Sequence, residues 1–281
     1  MELPVKVYSA ENKHNLKSVL LEGLQGYRDG LYLATQIFVR EFKAGYRTTY
    51  FGALWALYPT LSSAIIWIFL RGTGVISSAD VGLPYPLYVL AGTTVWAIIT
   101  ECLSEPLQVF NANQSILTKI NFSKEALVIL SYFNLLYRTI FKVLLIAILL
   151  FFFKITPTLS VLLFLPLLAV VLVALVSIGV LLLPVEILVP DISRLKTAAL
   201  PFLMYAAPVV YARPESGLLA TVIDWNPLTY LIEGLRNSMT GQAVHNPAFW
   251  ISLCAIAAAA FIVSTVVFRI AVPIIIQRLS A

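Results

Sequence analysis

Residues 36–59 read QIFVREFKAGYRTTYFGALWALYP, a basic amphipathic segment that runs without a break into an apolar one. At about 100° per residue, Gln36, Arg40, Lys43 and Arg47 fall on one helical stripe, and Leu31, Ala34, Phe38 and Phe42 fall on the opposite one. Only Glu41 breaks the pattern. Such a helix belongs at an interface, with its cations among head groups and its apolar stripe on acyl chains or on neighbouring transmembrane helices. Tyr46, Tyr50, Phe51 and Trp55 then mark the entry into a bilayer. A plain basic anchor that only fixes orientation has the same composition.

The rest of the chain agrees with a membrane setting. With 60% hydrophobic and 12% charged residues and a mean hydropathy of +0.90, 281 residues cannot cover their apolar surface as a water-soluble globule. The length allows several spans and no large soluble catalytic domain. A net charge of +5 then reads as topology rather than as nucleic-acid binding. Cys102 and Cys254 each lie inside an apolar run and His14 and His245 stand apart, so neither a disulfide framework nor a metal site is expected.

Upstream, Glu2, Lys6, Glu11, Lys13 and Lys17 precede any long apolar run, unlike a signal peptide. Leu16, Val19, Leu20, Leu24 and Tyr27 make a helical stripe that Asp29 and Gly30 terminate, so two amphipathic helices are predicted before the first span. Residues 1–50 would form a cytoplasmic surface region, 51–271 the transmembrane domain and 272–281 a cytoplasmic tail.

The predicted fold is an all-α integral membrane protein with six transmembrane helices. They cover about Phe51–Leu70, Tyr85–Phe110, Ala126–Phe153, Leu159–Leu183, Thr197–Tyr211 and Ala248–Phe268. Pro59 falls inside the first, and Pro201 and Pro208 interrupt the short fifth. Lys6, Lys13, Lys17, Arg28, Arg40, Lys43, Arg47, Lys119, Lys124, Arg194, Lys196, Arg269 and Arg278 share the side of the termini, against Arg71, Lys154, Arg213 and Arg236 opposite. By the positive-inside rule both termini are cytoplasmic.

Residues 214–240 fit neither a span nor a loop. Leu218–Ile223 and Leu228–Leu235 are each too short to cross, and Asp224, Trp225, Asn226 and Pro227 separate them. Asn226 can cap the second piece with Pro227 at its first position, and Glu233 and Arg236 are spaced to pair. The segment is either a re-entrant outer hairpin lining a pathway or two helices on the outer surface. Inside the spans, Glu101 and Glu105 on the second helix and Arg138 and Lys142 on the third lie one turn apart, with Glu101 and Arg138 at comparable depth. Each costs roughly 2.5 to 3.5 kcal/mol at the bilayer centre, which demands a partner or water. A structural cross-helix pair, a hydrated route and a proton relay all satisfy that demand.

Five stretches in register carry a resemblance: REFKAGYRTTYFGALWALYPTL, LPYPLYVLAGTTVW, NANQSILTKINFSKEALV, DISRLKTAALPFLMYAAPVVY and WNPLTYLIEGLRNSMTG. Their order and spacing resemble those of type-2 ABC permeases, and among them the transmembrane subunits that export O-antigen, capsular polysaccharide and teichoic acid. The resemblance spans roughly Leu31 to Arg278. It implies a homodimer in the bacterial cytoplasmic (inner) membrane, joined to two cytoplasmic ATP-binding subunits and moving a lipid-linked polysaccharide outward. No G-x-x-x-x-G-K-[ST] loop occurs, so ATP and magnesium would be handled by the partner subunit. The chain itself is expected to bind no cofactor and to be no enzyme.

The same resemblance implies roles for particular residues. Arg40, Lys43 and Arg47 would meet the pyrophosphate of an undecaprenyl diphosphate carrier as charge-assisted donors. Asn111, Asn113, Gln114, Lys119 and Lys124 would face the ATPase, although a solvated loop has the same composition. Tyr50, Trp55, Tyr58, Trp67, Tyr85, Tyr88, Trp96 and Tyr132 are candidates for stacking on sugar faces, or for an aromatic belt against lipid. Trp225, Asn226, Pro227, Glu233 and Arg236 would form an outer gate. A type-2 permease for a smaller amphiphile or drug is the alternative, and a membrane glycosyl or lipid-carrier enzyme is disfavoured by the lack of an Asp-x-Asp pair.

Overall fold

The structure is a computed structural model that describes residues 16–48, 55, 57–74, 82–119, 122–156, 158–213 and 216–280, with the side chains of 16, 46–48, 118, 119, 219 and 277–280 outside the description. The described residues form helices and connecting turns, with no strand among them. In chain order the helices are α1 (Leu16–Thr48), α2 (Tyr58–Gly72), α3 (Tyr85–Ala112), α4 (Gln114–Lys119), α5 (Ala126–Phe152), α6 (Val161–Leu188), α7 (Pro190–Tyr205), α8 (Leu218–Trp225), α9 (Pro227–Thr240) and α10 (Pro247–Ser280).

Four of these, α3, α5, α6 and α10, are long and apolar enough to cross a membrane. At 1.5 Å per residue their 27 to 34 residues exceed the ~30 Å hydrocarbon core. The 15 residues of α2 and 16 of α7 reach only about 22 and 24 Å, so neither helix alone spans that thickness. The chain is therefore an all-α membrane protein with four helices of spanning length among its described residues.

Helix α3 is the centre of the bundle, packed against α2, α5, α6 and α9. Two of its hydroxyls are satisfied within the helix: Thr93 donates to the Val89 carbonyl at 2.8 Å and Thr100 to the Ala97 carbonyl at 3.0 Å. α10 lies along α6, and α9 fills the space between α3 and α6 with Leu231, Ile232, Leu235 and Met239 buried. A helix too short to cross a membrane thus fills part of the bundle interior.

Four predicted boundaries are corrected. The two N-terminal amphipathic helices are one helix of 33 residues, because Gly26 and Gly30 serve packing rather than termination. A Cβ on Gly26 would lie 2.5 Å from the Glu125 carboxyl carbon, and one on Gly30 would lie 2.8 Å from the Ala126 backbone nitrogen. The buried face of α1 is therefore Val19, Gly23, Gly26, Gly30, Ala34 and Ile37, whereas Leu24, expected on the inner stripe, is 45% exposed. α1 runs alongside α5 in the same direction, since Phe38 meets Phe133 at 5.7 Å and Phe42 meets Tyr137 at 5.2 Å between ring centroids. Its apolar stripe rests on a helix.

Pro59 sits in the first turn of α2, where its missing N–H leaves no bond unmade, rather than in a helix interior. The fifth predicted span begins seven residues early, at Pro190, and ends at Tyr205; residues 206–211 turn back into the bundle with Ala207, Val209 and Val210 buried. The last helix continues past Phe268 to Ser280.

Candidate functional site

The four intramembrane charges meet as two crossed pairs between α3 and α5. Arg138 grips Glu105 with both guanidinium nitrogens, at 2.8 and 3.0 Å, and Asn134 adds a third donor at 3.0 Å. Lys142, fully buried, donates to Glu101 at 2.5 Å. Because the helices are antiparallel, a carboxylate one turn further along α3 pairs with a cation one turn earlier on α5. Glu101 thus meets Lys142 rather than Arg138, and a self-neutralising ladder holds the two helices together.

Glu101 has a second role, because its side chain is a quarter exposed and opens onto a groove between α2, α3 and α7. The groove has a volume of about 500 Å³ and is lined by Ser63, Trp96, Thr100, Glu101, Ser104, Gln108, Thr197, Leu200, Pro201, Met204 and Tyr205. Most of these carry a hydroxyl, amide, carboxylate or indole N–H, in a bundle whose exposed α5 and α10 flanks are apolar. A polar wall beside Glu101 and Trp96 can hold water or a hydroxyl-rich ligand.

At the end of the bundle where α3 and α9 begin, the chain builds a polar cap. Asn226 accepts from the Leu228 N–H at 3.0 Å and donates to the Ala206 carbonyl at 2.9 Å, with Pro227 at the start of α9. Replacing Asn226 by alanine is expected to cost about 1 kcal/mol, read as a lower Tm of the solubilised protein. Arg213 ties Asp224 of α8 at 2.5 Å and reaches Glu233 of α9 at 3.7 Å, and the hydrogen bond to Asp224 pushes its pKa up. The expected Glu233–Arg236 pair is not made. Arg236 instead lies buried over the Tyr88 ring at 3.9 Å and donates to the Pro208 carbonyl at 2.8 Å, while Tyr88 donates to the Tyr211 carbonyl at 2.9 Å. Two helix ends and the 206–211 turn are thereby joined by polar contacts that the residue spacing did not reveal.

At the opposite end Arg269 of α10 binds Glu125 at 2.6 Å and Glu22 of α1 at 2.9 Å. Ser123 donates to the Gly26 carbonyl at 2.8 Å. This node connects α1, α10 and the segment that follows α4. None of its members was a sequence candidate, because each charge looked like an ordinary member of a solvated face.

The remaining candidates divide by position. Trp55 and Tyr58 are exposed and face each other edge-on at 6.0 Å; Trp67 and Tyr205 approach at 6.1 Å beside the groove. Trp96 backs the groove with its ring buried in the core, Tyr85 lies under Arg71 at 4.1 Å in the polar cap with Tyr88, and Tyr132 packs on the core. Tyr50 lies outside the described residues, as do the side chains of Arg47 and Lys119. Arg40 and Lys43 are exposed on the flank of α1 away from α5.

Asn111 is exposed and accepts from Gln114 at 3.1 Å, whereas Asn113 is buried and donates to its own helix at Val109, 3.0 Å away. Lys124 lies over the Phe122 ring at 4.3 Å, where burial lowers its pKa. Trp225 is 84% exposed at the end of α8. Among the described residues no cluster of His, Cys, Asp and Glu is arranged to hold a metal ion. Searches against protein-family models and against curated proteins find no match to this chain.

Proposed function

We propose that this chain is the permease subunit of an ATP-driven exporter that moves a lipid-linked polysaccharide outward across the bacterial cytoplasmic membrane. The observation that carries this reading is the groove of α2, α3 and α7, lined largely by hydroxyl, amide and carboxylate residues in a bundle whose α5 and α10 flanks are apolar. Sugars present flat apolar faces edged with hydroxyls. Tyr205, more than half exposed on the groove wall, can stack on the former while Glu101, Gln108 and the hydroxyls of Ser63, Thr100, Ser104 and Thr197 exchange hydrogen bonds with the latter.

In this proposal six segments cross, α2 and α7 doing so together with the residues next to them, and both termini are cytoplasmic. A groove of about 500 Å³ suits one small ligand, so a polymer needs the grooves of two copies facing one another. Arg40, Lys43 and Arg47 receive the pyrophosphate of the carrier. The α1 N-terminal half and residues 111–125 receive two separate ATP-binding subunits, which hold ATP and magnesium. The re-entrant pair α8 and α9, held by Arg213 and Arg236, is the outer gate.

The groove's modest size favours one second reading, a permease for a smaller amphiphile. Co-purification tests both: a stoichiometric ATPase is expected to come with the chain, and vesicles containing the pair should move lipid-linked polymer. Transport of a drug-like amphiphile but not polymer would select the second reading, and activity of the lone chain would reject both. Replacing Arg40, Lys43 and Arg47 together with glutamine is expected to lower export about tenfold or more with insertion and partner binding intact. Undiminished export by that variant would remove the assigned role.

A further inference from the structure

Helix α7 forms one wall of the groove, yet none of its residues is fully buried. It is joined to α6 through the single non-helical residue Val189, at φ −130° and ψ 88°, and Pro190 prevents the two helices from fusing. By contrast, the opposite wall is locked: α3 and α6 approach so closely at Gly179 that a Cβ there would lie 2.9 Å from the Cys102 carbonyl oxygen. One wall is fixed and the other hangs from a hinge.

A single side chain of α7 reaches deep into the fixed frame. Lys196, only 11% exposed, places its ammonium 2.5 Å from Glu186 of α6 and donates to the Leu103 carbonyl of α3 at 2.9 Å. Glu186 is fully buried, and neither of its oxygens has an aligned hydrogen bond, the ammonium lying off axis. A buried carboxylate without other donors depends on that one cation. Arg194 and Asp191, the other ion pair of α7, bind each other in water and contribute nothing to docking.

We infer that Lys196 is a latch whose contacts with Glu186 and Leu103 hold α7 against the α3–α6 frame, so that the groove widens when the latch opens. Lys196 precedes Thr197, the first α7 residue of the groove, and Leu200, Pro201, Met204 and Tyr205 follow on the same helix. Rotation about Val189 with Lys196 released carries all five outward together. The inference concerns how the wall moves, and it stands whatever passes along the groove.

The test places spin labels at Phe202→Cys on α7 and Leu165→Cys on α6, both exposed, in the full chain reconstituted in lipid with Cys102→Ala and Cys254→Ser. The parent is expected to give one narrow distance distribution within a protomer. Lys196→Met, Glu186→Gln and the double variant are each expected to add a second, longer population of roughly a tenth or more. The double variant should add no more than Lys196→Met alone, because that change already removes both latch contacts. It also leaves no charge buried, so it stays measurable where a single variant fails to fold. Coincidence of the double variant's distribution with the parent's would overturn the latch.

Discussion

Replacing Arg138 with alanine is expected to destabilise the protein by about 3–5 kcal/mol, the usual result of leaving a buried charge without its partner. Glu105 is 1% exposed, and it would keep only the amide of Asn134 at 3.0 Å in place of a bidentate guanidinium. Arg138 itself is 31% exposed, so the converse change, Glu105→Gln, strands a cation that can reach water and is expected to cost less. Removing both charges with Arg138→Met and Glu105→Leu should restore much of the loss. Thermal unfolding of the solubilised protein, followed by its retention as a monodisperse species, measures all three. A single-residue loss no larger than that of the double variant would mean that the pair adds nothing to the α3–α5 contact.

A second large effect is expected from Gly92→Ala on α3. A Cβ at this position would collide with the backbone carbonyl of Val209, which belongs to the turn that follows α7 and cannot rotate away as a side chain could. The same turn presents the Pro208 carbonyl to Arg236 and the Val210 and Tyr211 carbonyls to Tyr85 and Tyr88. Pushing it off α3 therefore disturbs the polar cap as well as the packing. Overpacking of this kind costs typically 1–3 kcal/mol. The neighbouring control is Gly72→Ala at the end of α2, where nothing lies within 4 Å and stability should not fall. Equal Tm values for the two variants would contradict the close approach of turn and helix.

Much of this was legible from residue type. Asn226 followed by Pro227 specifies a helix start by local chemistry alone, and the structure places both there. The charged ladder was legible to within one turn: Glu101, Glu105, Arg138 and Lys142 all pair across α3 and α5, but the choice of partner depends on the relative slide of two helices, which spacing within each does not fix. Other features were hidden because they involve residues with little hydropathy signal. Asp29 and Gly30 read as a break, yet Gly30, with Gly26 one turn before it, lets α1 approach Glu125 and Ala126. Glu186 and Lys196 stand at the margins of predicted spans, where a charge reads as interface, and only their convergence across Pro190 shows that they belong together. Of the groove, Trp96 and Glu101 were singled out, whereas Ser63, Thr100, Ser104 and Thr197 were not, because hydroxyl residues that bond their own helix look alike wherever they point.

The central claim is that the groove between α2, α3 and α7 is a wet path for a sugar chain. Cysteines placed one at a time at Ser104 and Gln108, in a chain lacking its native cysteines, test it by their rate of reaction with a small, charged, membrane-impermeant thiol reagent supplied to either face, in cells and in inside-out membrane vesicles. Fast labelling is predicted at both, falling when lipid-linked polysaccharide accumulates behind an inactive ATPase, with Ile148→Cys on the exposed apolar flank of α5 as the slow reference. Labelling of the groove positions as slow as that reference, and indifferent to the polymer, would contradict the account.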